Sequence, residues 1–212
     1  MILCIPDVLT PEQTSSCRKL LENAQWEDGK KTAGHQAAKA KDNMQLPADS
    51  SAAQEVGQTI LRALNTNPLF TSAALPLHIL PPMFNRYSGG QQFGTHVDGS
   101  IRILPNGQRI RTDLSCTLFF AEPEEYEGGE LVIEDTYGAK SVKLHHVTPV
   151  TSGARLSSFF WLQSMIASDE RRSLLFDMDI AIQRLAGALP DHEVASQSAV
   201  QLTGVYHNLI RQ

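Results

Sequence analysis

Apolar residues recur along this chain at two different periods, and the period changes twice. The first stretch is short and strand-like, "CIPDVL", and is expected to form a brief strand. Helical signals follow at once: Thr10 is a candidate N-cap, Pro11 stands at the first helical position and Gln13 at the capping-box position. Leu20 and Leu21 fall on the apolar side of that helix, and Trp26 is placed to close it. Residues 48–65 repeat the pattern, with Val56, Ile60, Leu61 and Leu64 on one side. The polar, basic run between them, 30–42, reads first as a solvated face, with a loop or hairpin beside a substrate entrance as the alternative.

From "LPLHILPPMFNRYSGG" onward the texture is that of strands, and Pro81-Pro82 marks an edge or a kink. "RTDLSCTLFFAEP" is an apolar strand. "EYEGGELVIEDTYGAKSVKL" alternates about a turn near Tyr137-Gly138 and predicts a hairpin. Gly128-Gly129 is expected to let the backbone turn or bulge into the next strand. "ARLSSFFWLQSMI" predicts a long central strand. After it the helical period returns, with Leu174, Leu175, Met178, Ile182 and Leu185 in register and Ser168 or Asp169 as the cap. A further helix follows Pro190. Helices, then strands, then helices predict an α+β arrangement around a sandwich or barrel, divided into 1–167 and a helical extension at 168–212.

Composition narrows the function classes. The chain has 212 residues, 42% hydrophobic and 19% charged, enough for one domain with a sizeable core. A net charge of −5 argues against a nucleic-acid or anionic-membrane partner reached by bulk electrostatics. No apolar run has the length of a membrane helix, and the apolar start lacks the basic flank and cleavage site of a signal peptide. Cys4, Cys17 and Cys116 have no paired spacing and read as buried free thiols. A cytoplasmic protein is expected.

The candidate chemistry lies in "RYSGGQQFGTHVDGSIR". Two residues apart on an extended strand, His96 and Asp98 can present a nitrogen and a carboxylate oxygen to one ion. A third ligand has to come from elsewhere, and "VKLHHVTPV" offers His145 or His146. Two histidines and one carboxylate, with the remaining positions open, suit non-haem Fe(II) oxygenases. Arg155 begins an apolar strand, and a buried guanidinium requires an anion. A dicarboxylate cosubstrate would supply one; a structural Asp or Glu is the simpler partner. His35, His78, His192 and His207 read as surface or satisfied core residues, and Asp113 as a residue supporting the site or a plain surface one.

Tyr87, Gly90, Phe93, His96 and Asp98 fit Tyr-x-x-Gly-x-x-aromatic-x-x-His-x-Asp. This resembles the Fe(II)/2-oxoglutarate dioxygenases of the prolyl/lysyl hydroxylase type. "RTDLSCTLFFAEPEEYEGGELVIED" and "HHVTPVTSGAR" narrow the likeness to the bacterial PKHD-type hydroxylases linked with iron uptake. The resemblance implies a double-stranded β-helix, or jelly roll, with N-terminal helices and a C-terminal helical segment. It implies iron held by His96, Asp98 and His145, with 2-oxoglutarate held at its far carboxylate by Arg155 and flanked by Tyr87. His146 is not implied as a ligand. It further implies O2 as a reactant, a small-molecule or peptidyl substrate, and L-ascorbate to re-reduce the iron. The C-terminal helices are expected on the sheet, with pairing to a second subunit as the alternative.

The chain departs from that family at one place. After "SVKL" the family has a further strand and a Tyr-Pro turn, whereas here Leu144 runs straight into His145. "VKLHHVTPV" then reads as one unbroken strand. Either a core strand is deleted and His145 is drawn away from the site, or the numbering crosses an unwritten stretch. A core strand is not expected to be dispensable, which argues for the second. A displaced His145 would favour a non-catalytic binding module over an enzyme. A cupin-like metal enzyme without 2-oxoglutarate is the other alternative.

Overall fold

The structure is a computed structural model describing residues 2–32, 35–104, 106–134 and 144–212. The predicted turn at Tyr137-Gly138 lies outside the described residues. The expected N-terminal strand does not form: Pro6 offers no N–H to a ladder, and Asp7 takes φ 53°. Helix α1, Pro11–Glu22, opens on the expected capping box, Thr10 and Gln13 each accepting the other's backbone N–H. Then come β1, Glu27–Asp28; α2, His35–Ala40; β2, Lys41–Asp42; and β3, Met44–Gln45. Helix α3, Ser51–Asn65, starts at the Ser50 cap, and α4, Pro68–Ala74, at Asn67.

The strands follow. β4 is Pro76–Ile79, and Leu80-Pro81-Pro82 breaks it from β5, Met83–Ser88. β6 is Gln92–His96, β7 Ile101–Ile103, β8 Arg109–Arg111 and β9 Leu114–Phe119. β10 is Tyr126–Gly128, β11 Leu131–Glu134 and β12 Leu144–Val147. β13, Val150–Ser164, is the long central strand the sequence predicts. It pairs with β4 and β5 along one edge and with β9 and β10 along the other. Helices α5, Asp169–Ala188, and α6, Glu193–Ile210, close the chain; Ser168 is the cap of α5.

β13 divides its two faces between packing and chemistry. Leu156, Phe160 and Leu162 face a core shared with Leu21, Val56, Ile60 and Leu64 of α1 and α3. The alternate residues, Arg155, Ser157, Phe159 and Trp161, point the other way. There the four-stranded sheet β11-β12-β6-β2 lies opposite, and Phe93, Leu131 and Val147 from it pack on Tyr87, Tyr126 and Val150. Two antiparallel sheets closed over one interior make the expected jelly roll.

Three expectations on packing are corrected. Lys41 is no part of a solvated face: β2 pairs with β6 and leaves it 6% exposed. Cys4 is exposed, because no strand carries it inward. Leu174 is 69% exposed, because α5 turns Leu175 and Ile182 onto Leu75, Ile166 and α6 instead.

Candidate metal centre

β6 and β12 pair so that His145 stands opposite His96. In an antiparallel sheet, directly opposed residues share a face, so the two imidazoles meet: their centroids are 4.2 Å apart. Asp98 lies just past the end of β6. Its Oδ1 is 4.0 Å from His96 Nε2 and its Oδ2 3.7 Å from His145 Nε2. One ligand atom from each of the three lies within 4.8 Å of the others. His146, one residue on, faces Val132 across β11 and is not in this cluster.

Neighbouring groups fix the orientation of the ligands. His96 Nδ1 lies 2.9 Å from the Gly94 carbonyl, so that nitrogen carries the proton and Nε2 keeps its lone pair for a metal. Phe93 stacks on the His96 ring at 3.6 Å. Burial, above all, pulls the His96 pKa below its ordinary value, which favours the neutral, ligating form. Trp161 donates from Nε1 to Asp98 Oδ2 at 2.9 Å, holding the carboxylate from the opposite sheet. The donor set of two imidazoles and one carboxylate fits Fe(II).

The second half of the site is Arg155. It is 1% exposed and pairs with Tyr87 across β5. Its guanidinium carbon lies 4.8 Å from the Phe119 ring and 5.4 Å from that of Tyr87. Nη1 donates to Ser157 Oγ at 2.9 Å, and Ser157 in turn donates to Asn85 Oδ1 at 2.5 Å. Nε is buried with no hydrogen-bond partner. Burial lowers the arginine pKa, and burial pushes the Tyr87 phenol up to about 12. A buried cation with an unsatisfied N–H and neutral neighbours fits the far carboxylate of 2-oxoglutarate.

Every residue expected at the site is therefore gathered in one interior. The displacement that a shortened chain would cause does not occur. Leu144 and His145 are consecutive in β12, and pairing with β11 and β6 sets the position of His145. Nor is "VKLHHVTPV" one strand, since Thr148-Pro149 separates β12 from β13. Gly128 and Gly129 form the expected bulge, with φ 75° and 71°. Asp113 lies outside the metal cluster; it accepts from the Arg111 guanidinium and from the Ser164 N–H. Among the other histidines, His192 caps α6, accepting from the Ala195 N–H. Sequence reasoning missed Trp161, Ser157 and Asn85. Trp161 and Ser157 share the parity of Arg155 along β13, a signal that needed the strand's inward face to be known.

Comparison with known proteins agrees with this geometry. Residues 82–163 match the 2OG-Fe(II) oxygenase superfamily, and residues 169–212 match the PKHD-type hydroxylase C-terminal domain. The chain is 57% identical to a PKHD-type hydroxylase of Saccharophagus degradans, covering 100% of this chain and 98% of that one. It is 53% identical to one of Paracoccus denitrificans and 52% to PiuC of Pseudomonas aeruginosa, with the same coverages. The first of these alignments runs over 226 positions against the 212 residues of this chain, so the relative is the longer protein. Among solved structures, a viral collagen prolyl hydroxylase from Paramecium Bursaria Chlorella virus-1 is 16% identical, with a TM-score of 0.44, over 76% of this chain and 94% of that one. A Pseudomonas putida prolyl-4-hydroxylase is 17% identical, with a TM-score of 0.42, over 76% and 88%.

Proposed function

The chain belongs to the PKHD-type hydroxylases, Fe(II)- and 2-oxoglutarate-dependent dioxygenases, and on that premise we propose that His96, Asp98 and His145 hold the iron while Arg155 anchors 2-oxoglutarate. The observation that carries this assignment is the convergence of three ligand atoms within 4.8 Å, two from the paired strands β6 and β12 and one from Asp98 just past the end of β6. Iron and 2-oxoglutarate together supply the oxidising chemistry, in which O2 is consumed, 2-oxoglutarate yields succinate and CO2, and the substrate gains a hydroxyl.

The protein's part is to bind, orient and exclude. His96 and His145 present ring nitrogens, the first fixed by the Gly94 carbonyl and the Phe93 stack. Asp98 supplies the negative charge, held in place by Trp161. Arg155, held in place by the Ser157 hydroxyl that accepts from its Nη1, presents donors to a carboxylate, and Tyr87, 1% exposed, keeps that end dry. With His145 in place, nothing favours the non-catalytic module. An anion site beside the metal cluster favours 2-oxoglutarate use over the cupin-like alternative.

Further parts of the reading rest on the family likeness. L-ascorbate serves to re-reduce iron after uncoupled turnover, the protein works in the cytoplasm in connection with iron uptake, and 168–212 is a helical extension of the jelly-roll domain. The test is anaerobic titration with Fe(II) and 2-oxoglutarate, read by the metal-to-ligand charge-transfer absorbance. The band is expected in the wild type, absent in His96→Ala, and shifted to higher 2-oxoglutarate concentrations in Arg155→Ala. A full band in His96→Ala would contradict the ligand assignment.

A further inference from the structure

The strand β7 has its polarity reversed. Ile101 and Ile103 are 60% and 66% exposed, while Arg102 between them turns inward. A hairpin at the surface ordinarily places apolar residues inward and charges outward. Arg102 stacks on the indole of Trp161, its guanidinium carbon 4.1 Å from the ring. Its Nε is buried with no hydrogen-bond partner. The same Trp161 holds Asp98, so this cation lies over the support of an iron ligand.

A second cation faces the same wall. Lys41 donates from Nζ to Gln45 Oε1 at 2.7 Å. Nζ is 5.6 Å from the centroid of Phe93, the ring stacked on His96, and 5.9 Å from that of Phe159. Phe159 and Trp161 meet edge to face at 5.5 Å, so the two cations stand against adjoining rings. Burial first, and then the charge of Arg102, pull the Lys41 pKa down against a smaller upward pull from Asp28. Both cations turn inward onto adjoining rings, and the buried Arg102 Nε has no hydrogen-bond partner, an arrangement that an added anion would stabilise. Arg155, deeper along β13, already accounts for the far carboxylate of 2-oxoglutarate.

We propose that Lys41 and Arg102 form a carboxylate-binding pair beside the iron site, and that the substrate hydroxylated there carries a carboxylate. The proposal rests on the iron and 2-oxoglutarate assignment above. The planar fork of Arg102 can take two oxygens, and Lys41 adds a point charge on the side of His96. The carboxylate so held fixes which substrate carbon lies nearest the metal.

The experiment uses full-length protein loaded anaerobically with Fe(II) and 2-oxoglutarate. Acetate is titrated in as the probe, with acetamide as its neutral counterpart, and perturbation of the charge-transfer band is read. Acetate is expected to perturb the band saturably and acetamide to leave it unchanged. In Arg102→Met and Lys41→Met the acetate midpoint is expected to rise about tenfold or more. Arg102→Lys should recover part of the response, because it restores the charge without the fork. The 2-oxoglutarate midpoint should stay within about twofold in all three variants. No response to acetate, or an equal response to acetamide, overturns the proposal. A large loss of 2-oxoglutarate affinity in the variants also overturns it, assigning the pair to the cosubstrate. Absence of the band from the wild type is a separate failure, that of the iron-site assignment, and removes the proposal's foundation.

Discussion

Trp161 holds Asp98 through one hydrogen bond of 2.9 Å and makes no claim on the metal itself. Trp161→Phe keeps an aromatic ring beside Phe159 and removes that N–H together with part of the surface under Arg102. Groups that orient metal ligands commonly matter by about 10–100-fold in affinity, so Fe(II) binding is expected to weaken by that order while the fold persists. Isothermal titration beside a circular dichroism spectrum checks both parts. At Lys41 the fold lowers the pKa from 10.5 to about 8, chiefly by burial. The sign follows from proton counting. Between about 8 and 10.5 the unfolded chain holds a proton that the folded chain has released, so stability attributable to this residue rises with pH. Measured against Lys41→Met, the unfolding free energy of the metal-free wild type should climb by roughly 1–3 kcal/mol across that window. Denaturant titrations at the two ends, with the variant as baseline, would show a flat difference if the lysine were solvated.

At the scale of elements, the bulge between β10 and β11 sets the space around Arg155. Gly129 has φ 71°, and a Cβ there would lie 2.8 Å from Val150 Cγ2 and 3.0 Å from Arg155 Cδ. Gly129→Ala is thus strained in its backbone and presses on the arginine at once. A cost of about 1–3 kcal/mol in stability is expected, with a weaker grip on 2-oxoglutarate. Thermal melts and the charge-transfer titration separate the two effects. The pairing of β12 matters in the same way. His145 reaches the site through its register with His96 and Ile133. Insertion of one residue between Glu134 and Leu144 leaves the paired residues of β11 and β12 unchanged, whereas insertion between His145 and Val147 reverses the faces. The second is expected to abolish the band and the first to spare it.

For the whole molecule, the C-terminal helices complete a core of their own. Leu175, Ile182, Ala199 and Tyr206 pack on Leu75 and Ile166, which belong to the segments flanking the sheet. Ser72 and Asp179 hydrogen-bond across that contact. A chain ending at residue 167 exposes both Leu75 and Ile166, at roughly 1.5–3 kcal/mol for each side chain laid bare. Lower Tm and self-association are expected, checked by scanning calorimetry and size-exclusion chromatography. Normal melting of the truncated chain would make the helices an independent unit. Charge behaves differently at this scale. The molecule carries −5 overall, yet Arg155, Arg102 and Lys41 all turn toward one interior. Net charge therefore speaks to partners met at a distance, and the inward cations to the ligand met at the site.

Local rules were enough for much of this protein. The caps at Thr10 and Ser168 and the kink at Pro81-Pro82 follow from chemistry within a few residues, as does the bulge at Gly128-Gly129. So does the pairing of His96 with Asp98, because alternate residues of an extended chain share a face. Motif likeness carried the choice of His145 over His146 and the role of Arg155. Register and burial lay beyond both. Trp161 is 63 residues from Asp98, and Lys41 meets Phe93 only because β2 joins the edge of β6. The sequence shows a basic run at 30–42 and an Ile-Arg-Ile strand; neither pattern contains the direction in which Lys41 and Arg102 point. That direction is decided by which neighbouring strand supplies hydrogen bonds and which aromatic wall excludes water, and both come from residues far away along the chain.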